Sequence, residues 1–253
     1  MALSTYSSNK LLDHVLRNTA WTKPTNVYIS LHTADPGLTG ANEEAGGWYA
    51  RKVAAWAAAT TSGVATNAAL TWDAVTGSIA TITHIGMWDA ITTGNFLWSK
   101  DVTDLAYQIG EQPIIGSGNI TVTITGDIAN YLYPKILDHL VGATTYTPAA
   151  AVYTGLYTTN PAVGDTGTEA TGTGYARVAT TFAAAATQAT DTAGTTTFGP
   201  PTASWGTPAF YSIHDASTAG NLLVFGPVTG ISAEILSGDT VTIAAGSYDI
   251  SWT

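Results

Sequence analysis

Apolar positions first recur at helical spacing. Leu11, Leu12, Val15 and Leu16 fall on one face at one-, three- and four-residue steps, which predicts a short amphipathic helix with Ser8 or Asn9 as its cap. The pattern returns at Ile136, Leu137, Leu140 and Val141, after Pro134 in the first turn and before Gly142 as a stop. Beyond each helix the pattern changes to strand and turn. Val27 to Leu31 and Val152 to Leu156 are rich in β-branched and aromatic residues, and Asp35-Pro36 and Asn160-Pro161 close them with turns. Segments around Trp72, Ile82 to Trp88, Phe96 to Trp98 and Thr121 to Ile124 follow at the spacing of an all-β domain. The alanine runs at 57–59 and 183–186 are flanked by Thr and Gly, so they read as strand ends and loops rather than helix.

The same text is written twice. Tyr49-Ala50-Arg51 returns as Tyr175-Ala176-Arg177, and Asp89 with Gly94-Asn95 returns as Asp215 with Gly220-Asn221, each 126 residues later. Leu11 to His14 (LLDH) answers Ile136 to His139 (ILDH) at a shift of 125, and the string TVTI at 121–124 answers TVTI at 240–243 at a shift of 119. A unit this long can bury its own core, unlike a solenoid repeat of roughly 20 to 50 residues. The fold expected is mainly β: two tandem β-sandwich, jelly-roll-like domains at 1–126 and 127–253, each opened by a short α-helix, the second near 134–141. No Pro/Gly/Ser-rich linker separates them at 126–130, which predicts a fixed mutual angle. The stretch from Met1 to Ser8 precedes the repeat and reads as a tether.

Composition narrows the function classes. Hydrophobic residues make up 45% of the 253, and charged residues only 10%, well below the usual quarter. A formal charge of −10 with eight Lys and Arg leaves no basic stripe for phosphate, so nucleic acid is not expected as a partner. The absence of cysteine excludes a disulfide framework, a thiolate nucleophile and a Cys-ligated metal. Neither a signal sequence at Met1 to Lys10 nor a run of 18 apolar residues is present, so no membrane association is expected and the chain reads as soluble and cytosolic when made.

Candidate chemistry is sparse. Histidines stand at 14, 32, 84, 139 and 214. His214-Asp215 corresponds to Trp88-Asp89, so only the Asp is kept in both copies, the pattern of a packing or turn position rather than a catalytic pair. His14 and His139 occupy matched last-turn positions, where the helix dipole favours a cation; the sharper reading is a metal or proton-switch site, and zinc would need further ligands. The acidic loop 35–44, with Asp35, Asn42, Glu43 and Glu44, and its counterpart carrying Asp165 and Glu169, read as solvated loops, because calcium-loop spacing is missing. Gly172-Thr173-Gly174 lacks the third glycine and the following helix of a dinucleotide loop. Arg51 and Arg177, kept in both copies, read as anchors for a carbonyl or carboxylate inside each domain, for example at the Asp89 and Asp215 turns. Eight tryptophans invite a glycan-binding reading. Most read as core, Trp72 and Trp98 being replaced by Phe198 and Val224; Trp48, in a Gly-rich loop, is the candidate for an exposed glycan or partner contact. No catalytic residue, metal or cofactor is assigned.

The ordered blocks NKLLDHVL, VYISLHTADPG, GGWYAR, ITHIGMWDAITTGNFLW and SGNITVTI, with GYARVATTFAAAA, WGTPAFYSIHDASTAGNLLVFGPV and SGDTVTIAAGSYDI in the second half, resemble a family of small bacteriophage and prophage virion proteins often labelled tail fibre or minor tail proteins. The resemblance spans nearly the whole chain in two copies, where one unit is usual. It implies a structural protein on the virion surface, as capsid decoration or tail appendage, with no catalytic residues to carry over. The partners it implies are other virion proteins, major capsid or tail proteins; the doubling suits replacement of a homodimer or the spanning of two lattice sites, and a further copy of the chain is a candidate partner. The competing reading is a glycan-binding adhesion module that recognises a host-surface glycan through Trp48 and neighbouring loops, and an enzyme is the third.

Overall fold

Ser4 starts the first helix. Its side chain accepts the Ser7 N–H at 3.0 Å and caps α1 (Thr5–Arg17), upstream of both Ser8 and Asn9, the caps read from sequence. Just before it, β1 (Ala2–Leu3) is a strand. The expected tether is therefore packed structure: Ala2 and Leu3 pair with Ser99 and Trp98. The computed structural model describes residues 2–77, 81–231 and 233–253; Met1, the first residue of that tether reading, lies outside them.

In the first repeat β2 (Tyr28–His32), β3 (Lys52–Val53), β4 (Val64–Ala65), β5 (Leu70–Thr71), β6 (Ile82–Trp88), β7 (Phe96–Leu105), β8 (Ile114–Ile115) and β9 (Thr121–Val122) follow. Five strands form an antiparallel sheet in the order β1-β7-β6-β2-β3, and β4-β9 and β5-β8 form two short ribbons. In the second repeat α2 (Tyr133–Leu140) precedes β10 (Val152–Tyr157), β11 (Val178–Thr180), β12 (Ala189–Thr190), β13 (Thr196–Thr197), β14 (Phe210–His214), β15 (Leu222–Pro227), β16 (Thr242–Ile243) and β17 (Ile250–Ser251). Their sheet runs β11-β10-β14-β15, with ribbons β12-β17 and β13-β16. The chain is mainly β and antiparallel, and each half is one helix, one large sheet and two ribbons. The core joins Leu11, Leu12 and Val15 of α1 and Ile136, Leu137 and Leu140 of α2 to Ile29, Trp72, Trp98, Ile213 and Trp252. Each such side chain, removed from water, contributes about 1.5 to 3 kcal/mol.

The last strands correct the repeat alignment. β9 pairs with β4 and β17 with β12; β8 pairs with β5 and β16 with β13. The second TVTI, at 240–243, thus takes the place of residues 112–115, and the chain end takes the place of the first TVTI. Matched bonds place the shift at 128: Trp72 N–H donates to Pro113 O, and Phe198 N–H to Val241 O. Gly118 and Gly246, between the paired strands, have φ of 78° and 79°. Four β-forming residues suit either arm of a ribbon, so the identical string carries no register; the left-handed glycine does.

Where β2 meets β6, and β10 meets β14, the two halves pack one pocket in opposite senses. Ser30 faces Gly86 in the first repeat, and Gly155 faces Ser212 in the second. A Cβ on Gly86 would lie 2.5 Å from Ser30 Oγ, and one on Gly155 would lie 2.8 Å from Ser212 Oγ, so one glycine must always oppose the serine. The ring pair is exchanged as well. His32 and Trp88 both reach Ser30 Oγ, at 2.7 and 3.0 Å; their counterparts Tyr157 and His214 stack with ring centroids 6.2 Å apart. Gly86→Ser alone should cost about 1 to 3 kcal/mol by overpacking, and adding Ser30→Gly should recover part of it. Urea unfolding of the two variants measures this; equal losses would show that the serine–glycine pairing is not coupled.

Candidate functional site

Arg51 and Arg177 each hold a carboxylate and a turn together. Arg51 donates from Nε and Nη2 to the two oxygens of Glu43 at 2.8 and 2.7 Å, and from Nη1 to Ala90 O and Thr93 O at 2.9 and 2.7 Å. Arg177 repeats this with Glu169, both bonds at 2.8 Å, and with Ala216 O and Ala219 O. Asp89 and Asp215 staple the same turns: each carboxylate accepts the backbone N–H and the amide of Asn95 or Asn221, at 2.6 and 2.7 Å. Tyr49 and Tyr175 complete the network by donating to Glu43 and Glu169 at 2.6 and 2.8 Å. Only Arg51 also lies over an aromatic ring, 3.6 Å from the Trp88 centroid.

Burial alone would raise the Glu43 and Glu169 carboxyl groups, but the bonds from the arginine and tyrosine outweigh it and hold both below the ordinary carboxylate value. This corrects the reading of the acidic loops as merely solvated. Glu43 and Glu169 are half-buried members of a fork that ties the loop to the sheet, Asp35 accepts the Gly37 N–H at 2.8 Å, and Asp165 accepts the Tyr157 hydroxyl proton at 2.7 Å. Among the described residues no group of three or more His, Asp or Glu side chains is placed to hold a metal ion.

A second constellation lies where the two repeats meet. His14 and His139 are buried, with ring centroids 4.7 Å apart. His14 Nε2–H donates to Tyr146 O at 3.0 Å and His139 Nε2–H to Trp21 O at 2.9 Å. Trp21 N–H donates to His14 Nδ1 at 3.3 Å, and Tyr146 N–H to His139 Nδ1 at 3.1 Å. The exchange is reciprocal, as across a two-fold axis. Other contacts obey the same relation: Asp138 accepts the Ala59 N–H and Asp13 the Ala185 N–H, both at 2.9 Å, and Thr125 and Thr253 exchange backbone hydrogen bonds at 2.8 and 3.2 Å. The expectation of a last-turn cation is overturned at His139, because a ring that accepts a backbone N–H while donating to a carbonyl is neutral. Burial, then the neighbouring imidazole, lowers its pKa to about 4.

Trp48 is not an exposed platform. It is 4% exposed and packs edge-on to Tyr49 at 5.9 Å. Gly46 is what allows this, since a Cβ there would lie 2.5 Å from the Trp48 indole nitrogen, so the loop folds the ring inward. Six other tryptophans are buried too, and Trp56 is half-buried. His214 sits buried beside Tyr157, its Nε2 3.4 Å from the Tyr157 hydroxyl, and burial and then Arg177 lower its pKa to about 4. Sequence reasoning missed Glu43 and Glu169 as the arginines' partners, although both stand eight residues before their arginine and 126 residues apart.

The profile of the podophage GP4 fiber I protein gp80 family matches residues 2–123 and, a second time, 127–251. The chain belongs to this family. No curated protein matches it. The two gp80 matches begin 125 residues apart and end 128 apart, which are the shifts seen at the opening helices and at the last strands. No described helix is long and apolar enough to cross a membrane.

Replacing either arm of the fork leaves the other charge half-buried and unpaired. Arg177→Met should cost about 3 kcal/mol, read as a lower urea midpoint at unchanged slope. Because the folded-state pKa of Glu169 is depressed, its contribution is present above the unfolded value of 4.5 and is lost as pH falls below it. The variant should therefore lose less stability than the native chain on acidification below pH 4.5; a parallel loss would place the acid sensitivity elsewhere.

Proposed function

We propose that this chain is a structural component of a phage tail fibre that works by protein–protein packing, without catalysis, and enters the virion as a pre-joined pair of repeats. Membership of a fibre family supports a structural role in the virion. The observation that carries the rest is the reciprocal seam. Near its C-terminal end each helix carries an aspartate and a histidine that bond to the other half, an isologous arrangement of the kind found in two-fold dimers. One chain thereby presents two equivalent outer faces at a fixed angle, whereas two separate units would have to meet first and their stability would depend on concentration.

Virion proteins are the partners of this reading. The competing glycan-binding role called on Trp48 and neighbouring loops, and the Trp48 indole is buried and cannot stack on a sugar. Attachment to the head as capsid decoration is the alternative address. Purified particles labelled with a gold-conjugated antibody against this chain should carry gold on the tail appendages; label spread over the head would assign it to decoration, and a chain missing from particles by mass spectrometry would refute a virion role.

A further inference from the structure

We propose that His139 makes the seam between the repeats acid-sensitive: protonation at Nδ1 removes the bond that holds the Tyr146 loop to α2 and loosens the contact between the two halves. The geometry carries this. Nε2–H is committed to Trp21 O at 2.9 Å, and Nδ1 accepts the Tyr146 N–H at 3.1 Å. A second proton could go only onto Nδ1, where it would face another donor. The two histidines differ here, because His14 Nδ1 also lies 3.1 Å from Thr19 O, whereas among the described residues no carbonyl is in contact with His139 Nδ1.

Among the described residues no free counter-charge is in contact with the His139 ring. From α1 the facing ring is His14, 4.7 Å away; from the loop after α1 come the Trp21 ring at 5.2 Å and Lys23, whose ammonium donates to Gly142 O at 2.6 Å. The Tyr146 ring packs edge-on to His14 at 5.9 Å. On α2 itself Asp138 is engaged with the Ala59 N–H, and Lys135 lies over the Tyr131 ring at 4.8 Å. The corresponding Asp13 on α1 is shared between Arg17 and the Ala185 N–H. Every nearby charge is thus a cation or a carboxylate already in use.

The sign follows from linkage. The folded-state pKa is about 4, against an ordinary 6.5, so the loosened form binds more protons between these values and the closed seam is strongest above pH 6.5. From those two values the opening equilibrium should rise about twentyfold between pH 7 and pH 5. The full-length chain tests this by hydrogen exchange at Ala59, Trp21 and Tyr146, corrected for the intrinsic pH dependence of exchange. His139→Gln keeps one acceptor and one donor on a neutral side chain and serves as the control. The native chain should show the twentyfold loss of protection at these amides, and His139→Gln should not. Equal loss in both would assign the response to another group and overturn the proposal. Should His139→Gln fail to fold, an NMR titration of His139 in the native chain decides: an apparent pKa at or above 6.5 overturns it, and one well below supports it.

Discussion

The neutral state of His139, packed against His14 in the seam, is the constraint on which the relation of the two halves depends. A ring that accepts one backbone N–H and donates to the carbonyl of the opposite loop fixes two loops at once, and the rings do so reciprocally. The surrounding contacts follow the same relation, from the aspartate caps on Ala59 and Ala185 to the exchange between Thr125 and Thr253. Extra contacts differ between the two sides: Gln188 bonds to Asn9 and Leu3 and Ser8 to Trp252 O on one, while on the other the Ile124 N–H donates to the Tyr133 hydroxyl and Lys23 to Gly142 O. A shared hydrophobic core runs through the seam, so the polar pair is shielded from water and each of its hydrogen bonds is costly to leave unmade.

Two copies of one unit in one chain act as an internal control on what the fold demands. The arginine fork with its glutamate, tyrosine and stapled turn is unchanged between the copies, because a half-buried charge tolerates no substitute for its partner. The pocket beneath it was rebuilt. Serine and glycine changed strands, and His32 with Trp88 became Tyr157 with His214, which keeps the space filled while altering every hydrogen bond. Packing needs volume, and more than one set of residues supplies it; the second set leaves Ser212 Oγ and His214 Nδ1 buried without a hydrogen-bond partner.

Much of this was legible in the sequence. Helical spacing located both helices, β-branched runs located the central strands, and duplication singled out Arg51, Arg177, Asp89 and Asp215. What escaped was non-local. Trp48 follows two glycines, the mark of an exposed loop, yet the first of them, Gly46, lets the ring turn under the loop. TVTI occurs twice, but strand propensity cannot say which arm of a ribbon it fills. Ala2 and Leu3 look like a free end until β7 offers them an edge, and a last-turn histidine looks like a dipole-stabilised cation until a second copy of itself is packed against it. In each case the deciding partner lies on another element, out of reach of any local window.

The proposed fibre role calls for a rigid pair of repeats, and the absence of cysteine makes that rigidity directly measurable. Single cysteines introduced at the exposed, equivalent turn positions Thr92 and Thr218 can carry spin labels without competing sites. Electron–electron resonance at neutral pH should return one narrow inter-label distance. A broad distribution would mean that the halves move independently and would contradict the seam.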